Sequence, residues 1–467
     1  MVGDGTRRTT AITGRILFLL VFAAAVAGAC RDSGPQDSDG PPNLVLISLD
    51  TLRADRVDLA AADGGLCPNL LRLAGKSHVF TDTLSVSPWT LPAHASMFTG
   101  LYPNRHGALG AYQPFSAEHR TFVEVLAEQG YRTVSFNGGA NVAGIYGFYR
   151  GFDTYESIRL KHGVGTLAQY LKSDAVLPLK AGVNWLGEHG GDPGPFFLFL
   201  HSYEVHAPYH RREDDAFTGH DDVWKLQATG DRDGARTAAA VYDGGVRWAD
   251  HWVGELLAAL EDCGQDRRTL VVVTSDHGEG FHEHGYVSHS LKLYQEFLHV
   301  PLIIFDPRRP DQQLHSTPAS LVDLAPTLLA LLGIEPPPGL DGVDLLGEVG
   351  ADRTRFADVR FDPGWARQLV EAGIIRREDA SSRLAARGPW RLIHNDLDGT
   401  WELYNLDLDP GALTDLSNEL PAEVADLQEA LLAWSAEGMA GITPDTVDPE
   451  PLDDEHTDQL KALGYLE

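Results

Sequence analysis

The chain has 467 residues, 43% hydrophobic and 9% aromatic, which suffices for a sizeable core and excludes disorder throughout. Lys and Arg total 37 against 67 Asp and Glu, a formal net charge of −30, so nucleic acid and anionic membrane surfaces find no general electrostatic attraction here. Three Cys are too few for a disulfide scaffold or a thiolate metal cluster.

Arg7, Arg8 and Arg15 precede an apolar run from Ile16 to Ala29. The run is short for a bilayer span and fits a signal-peptide core over residues 1–29. It ends Ala27-Gly28-Ala29-Cys30, which resembles a bacterial lipobox. Cys30 is then the lipidation site, with an ordinary cleaved signal as the alternative. Residues 30–42 are polar and rich in Pro and Gly, a flexible tether. The expectation is an exported, lipid-anchored bacterial protein of the periplasm or cell surface, touching the membrane only through that anchor. Whether Cys67 and Cys263 pair is not legible.

The apolar run Asn43–Leu49 predicts a buried parallel strand ending at Asp50. Pro68 opens a helix to Leu73. A second helix runs from Thr90 to Phe98, with Pro92 in its first turn and Gly100 as C-cap. Thr121–Glu128 reads as a helix, Arg132–Phe136 and Pro195–His201 as strands, and Val241–Leu260 as a long amphipathic helix. Strands Leu270–Thr274 and Pro301–Phe305 and a helix over Leu321–Leu332 follow. Such alternation predicts an α/β fold, a mixed, mostly parallel sheet sandwiched by helices over residues 43–385. Trp390–Ile393 and Trp401–Asn405 read as antiparallel strands, and Pro421–Trp434 as a helix. Residues 386–467 are assigned to a small C-terminal α+β subdomain.

In parallel sheets, sites form beyond the carboxyl ends of strands. Asp50, His201, Asp276 and His277 all fall there. Asp50 alone reads equally as a helix N-cap. Asp276-His277, followed by Gly278, sets a carboxylate beside an imidazole at a buried strand end, which suits a divalent cation. His282 and His284 read as surface loop residues. Thr90 falls at a helix N-terminus, where free N–H groups favour an anion.

Asp50, the stretch Ser87 to Gly100, Gly100-Leu-Tyr-Pro-Asn-Arg-His-Gly107, Ser275-Asp276-His277-Gly278 and Trp401 to Gly411 together resemble the sulfatase family of the alkaline phosphatase superfamily, in order and from about Pro42 onward. The resemblance implies a central mixed sheet between helices and a smaller C-terminal sheet with a helix. It also implies an ester hydrolase that binds a metal.

The chain departs from that pattern at several places. Thr90, Pro92 and His94 stand where the family has Cys-x-Pro-x-Arg, and Thr has no route to formylglycine. Thr51 replaces the second Asp of a pair, Asn137 to Asn141 replaces a Lys-x-His element, and His277 replaces an Asn. These changes resemble the Thr-nucleophile members of the superfamily. A sulfated formylglycine hydrate releases sulfate by elimination, whereas a phospho-Thr is resolved by a second attack at phosphorus. The Thr therefore favours phosphoryl transfer.

The resulting expectation is a hydrolase or transferase of phosphate mono- and diesters working through a Thr90 nucleophile. One divalent ion (Ca, Mn or Zn), held by Asp50, Thr90, Asp276 and His277, would lower the hydroxyl pKa. His206 and His289 are the candidates for protonating the leaving oxygen. Asn137, His94 and Lys292 are candidate substrate contacts. Glu204, His206 and His289 lack the usual spacing for a second metal. The substrate would be a small-molecule ester, or one of a glycan or lipid head group. The alternatives are a sulfuric ester hydrolase and a non-catalytic surface lipoprotein.

Overall fold

The computed structural model describes residues 40–59, 65–110, 113–158, 175–207, 209, 226, 229–290, 292–360, 381–396 and 398–439. The expected signal segment, Cys30 and most of the expected tether lie outside the described residues. Among the described residues, no helix is long and apolar enough to cross a membrane.

Eight strands form the central sheet: β1 (Asn43–Leu49), β2 (His78–Phe80), β3 (Arg132–Asn137), β4 (Thr154–Ser157), β5 (Phe196–Ser202), β6 (Thr269–Thr274), β7 (Leu302–Phe305) and β8 (Gln313–His315). Their order is β8-β2-β7-β6-β1-β5-β3-β4. β1 pairs in parallel with β5 and β6, and β7 runs antiparallel to β6 and β2. All seven residues of β1 are buried. Leu44 and Leu46 face one core, while Val45, Ile47 and Leu49 face the other. This is the two-residue period of a strand covered on both sides.

The helices are α1 (Pro68–Ala74), α2 (Thr90–Thr99), α3 (Phe122–Glu128), α4 (Leu177–His189), α5 (Arg232–Asp262), α6 (Leu324–Leu331) and α7 (Pro421–Met439). α2, α3 and α6 cover one face of the sheet, and α1, α4 and α5 the other. α2 ends on Gly100 at φ 68°, as expected for a left-handed C-cap. A capping box from Thr121 and Glu124 starts α3. α5 begins earlier than its amphipathic stripe suggests, because Asp231 caps the amides of Asp233 and Gly234.

Cys67 and Cys263 are both free. Cys67 precedes α1, whose Leu70 amide donates to Asp250 in mid-α5, whereas Cys263 caps the far end of that helix. Thirteen helical residues at about 1.5 Å each separate those α5 positions by roughly 20 Å.

A second, antiparallel sheet holds β9 (Arg355–Arg360), β10 (Ser381–Arg387), β11 (Trp390–Asn395) and β12 (Thr400–Asn405). It begins before residue 386, the boundary placed from sequence. β9 and β10 mix Arg, Asp and Ser with small residues, so they carry no strong strand signal. Leu427, Leu431 and Trp434 of α7 pack on Leu392 and Leu403 of this sheet. The sheet also braces the segment leading into α2. The Asp358 amide donates to the Val86 carbonyl at 2.9 Å, and Ser87 Oγ donates to the Asp358 carbonyl at 2.6 Å.

Candidate active site and metal centre

β1, β5 and β6 end side by side, and their C-terminal ends place Asp50, His201 and Asp276 together. All three are fully buried. Thr90 is the first residue of α2, and the preceding Trp89 supplies no side-chain cap. The positive end of the α2 dipole therefore lies at the Thr90 hydroxyl. Thr90 Oγ1 donates to Asp50 Oδ2 at 3.2 Å and lies 3.4 Å from His277 Nε2. His201 Nε2 reaches the same Asp50 oxygen at 3.0 Å.

Asp50 Oδ1 and Asp276 Oδ2 are buried and have no hydrogen-bond partner among the described residues. His277 Nε2 is 3.8 Å from the first and 3.4 Å from the second. His277 Nδ1 lies 2.9 Å from the Gly278 carbonyl, which only accepts, so Nδ1 carries the proton and Nε2 is left as a lone-pair donor. Two orphaned buried carboxylate oxygens and an imidazole lone pair within 4.8 Å of one another fit one divalent cation. A second grouping, His94, His201 and Asp276, is also compact. In it, His94 Nδ1 is bound to the Thr90 carbonyl at 2.9 Å and Nε2 to Ser48 Oγ at 3.0 Å. The first set is therefore the better donor set.

The electrostatics follow from burial. Burial and the neighbouring Asp276 charge push the Asp50 carboxyl well above its ordinary range. Burial opposes ionisation of Asp276 too, but His277, His94 and His201 hold its carboxyl far below the ordinary value. Burial lowers His277 to about 4 against the pull of Asp276, so the imidazole is neutral and able to ligate. Thr51 sits beside them at φ 61°, a strained conformation for a β-branched residue. That conformation aims its amide at Asp276 Oδ1, 3.3 Å away.

The remaining sequence candidates fall in three places. His206 and His289 lie beside the centre: the His289 ring is 4.5 Å from the His277 ring and 4.6 Å from the His206 ring. His94 lies beneath Thr90, held as described. Asn137 is used in its own turn, with Oδ1 accepting from the Gly139 amide and Ser157 Oγ, both at 2.9 Å. Lys292 is buried, with Nζ 3.3 Å from Asn395 Oδ1 in β11. His284, expected in a surface loop, instead ties Glu296 to the Ala412 carbonyl, both at 2.8 Å. Sequence reasoning noted His201 only as a strand end and passed over Glu279, although Glu279 stands two residues from His277.

A mostly parallel sheet with helices on both faces, carrying a carboxylate, hydroxyl and imidazole cluster at its strand ends, is that of an alkaline-phosphatase-like ester hydrolase. The model of the Sulfatase family matches residues 42–334, and the chain belongs to that family. Arylsulfatase K of Canis lupus familiaris is 23% identical, over 89% of this chain and 88% of its own. The multifunctional alkaline phosphatase superfamily protein PehA of Trinickia caryophylli is 27% identical, over 84% of this chain and 95% of its own. Among solved structures, the phosphonate monoester hydrolase of Agrobacterium radiobacter superposes with a TM-score of 0.68 at 20% identity, covering 85% of this chain and 96% of that one. The 2-O GAG sulfatase BT1596 gives a TM-score of 0.68 at 18% identity, covering 86% and 94%.

Proposed function

We propose that the chain cleaves phosphate mono- or diesters through a Thr90 nucleophile and a phospho-Thr intermediate. The observation that carries this is the Thr90 hydroxyl itself: it opens α2, hydrogen-bonded to Asp50 Oδ2 at 3.2 Å, beside the orphaned carboxylate oxygens. A divalent cation bound by Asp50, Asp276 and His277 would supply Lewis-acid stabilisation of negative charge at the reacting centre. Asp50 Oδ2 stands where the Thr90 proton departs. The Thr90 oxygen attacks phosphorus in line, and the N–H groups at the start of α2 face the charge that develops on the phosphoryl oxygens. His289, whose ring lies beside His277, and His206, whose ring lies beside His289, are the groups that would protonate the leaving oxygen. A second attack, by water or another alcohol, releases the phosphate and restores the hydroxyl.

Sulfuric ester hydrolysis is the second reading, favoured by the arylsulfatase K relatives that span most of the chain. It requires direct attack on a sulfated Thr, because Thr has no elimination route. Hydrolysis of p-nitrophenyl phosphate, bis-p-nitrophenyl phosphate and p-nitrophenyl sulfate by wild type and Thr90→Ala separates the two. Phosphoester turnover lost in the variant supports the proposal, and turnover of the sulfate alone refutes it. We further propose that Cys30 is lipidated after export. Labelling with a radioactive fatty acid that persists in Cys30→Ala would refute that.

A further inference from the structure

The short hairpin after the Asp276-His277 pair carries a carboxylate and imidazole whose pairing the reaction above does not explain. Glu279 is fully buried, and its Oε1 accepts from His289 Nδ1 at 3.0 Å. We propose that Glu279 is the positioning residue for His289 and makes His289, rather than His206, the group that protonates the leaving oxygen. This rests on the phosphoester reading of Thr90.

Three observations carry it. The first is the contrast between the two imidazoles. His206 turns Nδ1 to the carbonyl of its own neighbour Ala207. His289 turns Nδ1 to the carboxylate of Glu279, ten residues away across the hairpin, which orients the ring and leaves Nε2 as the atom that moves a proton. The second is backbone strain. Ser288 and Ser290, on either side of His289, adopt φ 72° and 73°, a left-handed conformation rare outside Gly and typical of sites that over-determine one side chain. Gly280 pairs with Ser288, and the Ser290 amide donates to the Pro88 carbonyl at 3.0 Å. His289 is thereby tied to the segment that enters α2 two residues before Thr90.

The third is the fit around Glu279. A Cβ on Gly278 would lie 2.0 Å from the Glu296 carbonyl oxygen, and one on Gly280 would lie 2.7 Å from the Phe297 ring. The Gly278 amide donates to the Phe297 carbonyl at 2.7 Å and the Glu279 amide to the Glu296 carbonyl at 3.1 Å. Glycine at 278 and 280 lets the backbone press this closely, and the close approach fixes the backbone from which Glu279 reaches His289.

The step balances. As the ester P–O bond breaks, its electron pair goes to the leaving oxygen, which takes the proton from His289 Nε2. His289 is left as the neutral imidazole, its Nδ1–H still donated to Glu279 Oε1. The water that attacks phospho-Thr90 returns a proton to Nε2.

The test compares p-nitrophenyl phosphate, whose leaving group departs without a proton, with glycerol phosphate, whose leaving group needs one. E279Q keeps the shape but removes the charge. It should lower kcat/KM, which reads transfer to Thr90 and not the shared hydrolysis of phospho-Thr90, about 100-fold on glycerol phosphate and by less than about 5-fold on p-nitrophenyl phosphate, the scale expected for lost general acid catalysis. H289N should show the same selectivity, and combining the two should add nothing further. Equal losses on both esters, or additive losses in the double variant, would overturn the assignment. A second readout is independent of turnover: the downfield Nδ1 proton of His289 in histidine-labelled full-length protein. It should be present in wild type, displaced in E279Q and absent in H289N. Its absence from wild type overturns the pair whatever the substrate. Ester turnover that survives Thr90→Ala would instead sink the Thr90 reading and leave this spectroscopic result standing.

Discussion

Replacing Asp50 by Asn separates two opposite consequences of burying carboxylates around a cation site. In the metal-free protein, Asp50 and Asp276 lie together with one oxygen each unpartnered among the described residues. Their mutual repulsion disfavours the fold when both are ionised. Asp50→Asn removes that repulsion together with the burial that pushes the Asp50 carboxyl up, so the metal-free variant should melt at or above wild type at pH 8. Wild type recovers the deficit when a cation binds. At a concentration one hundred times Kd the gain is about 2.7 kcal/mol. A domain of roughly 400 residues unfolds with an entropy of about 0.8 kcal/mol/K, so the melting temperature should rise by about 3 °C. The variant should gain less than about 1 °C, because the cation loses a charged ligand. Scanning calorimetry in chelator, then with Ca, Mn or Zn, reads both effects. An equal rise in the variant would place the cation elsewhere. A metal-free variant melting well below wild type would refute the claim that these carboxylates oppose each other.

Two further outcomes follow from the packing. Phe98, on α2, is buried among Phe122, Phe148 and Phe199 with ring separations of 5.5, 5.5 and 5.1 Å. Phe98→Ala should cost about 3–5 kcal/mol in denaturant unfolding, and a loss under about 1 kcal/mol would contradict the packing described. Asp358 is fully buried, and burial pushes its carboxyl from the ordinary 3.8 up to about 6 against the pull of Arg360. Its folded value is raised, so its contribution is greatest below the unfolded value and falls as pH rises through the folded one. Wild type should lose about 2 kcal/mol between pH 4 and 7 that Asp358→Asn does not; parallel pH profiles would refute this.

The parts of the fold visible in sequence are those where burial leaves an unbroken apolar run. Asn43–Leu49, Phe196–Ser202 and Thr269–Thr274 are buried along their whole length, and each was expected close to its observed bounds. α2 was legible from Pro92 and Gly100. The edge strand β4 reads Thr-Tyr-Glu-Ser and is only half-buried, so no periodicity exposes it. β8 is similar, with Gln313 and Leu314 exposed. α4 has Pro178 in its first turn, a start signal that the small and polar residues after it dilute. Asp50, Thr90, Asp276 and His277 each belong to a recognisable strand end or helix start, and the structure gathers them into one cluster. Glu279 was not legible because its role comes from a hairpin that returns His289 to it. His201 joins Asp50 only because β1 and β5 pair in register, Ser48 opposite His201. Sequence spacing carries neither fact.

The central claim is a covalent bond at Thr90. Full-length protein loaded with cation would be mixed with a phosphate ester radiolabelled in its phosphoryl group, quenched in acid within the first turnover and digested. The account predicts label on the peptide that spans Thr90, absent in Thr90→Ala. Ester turnover with no label on that peptide, or label transferred only from a sulfate ester, would contradict it.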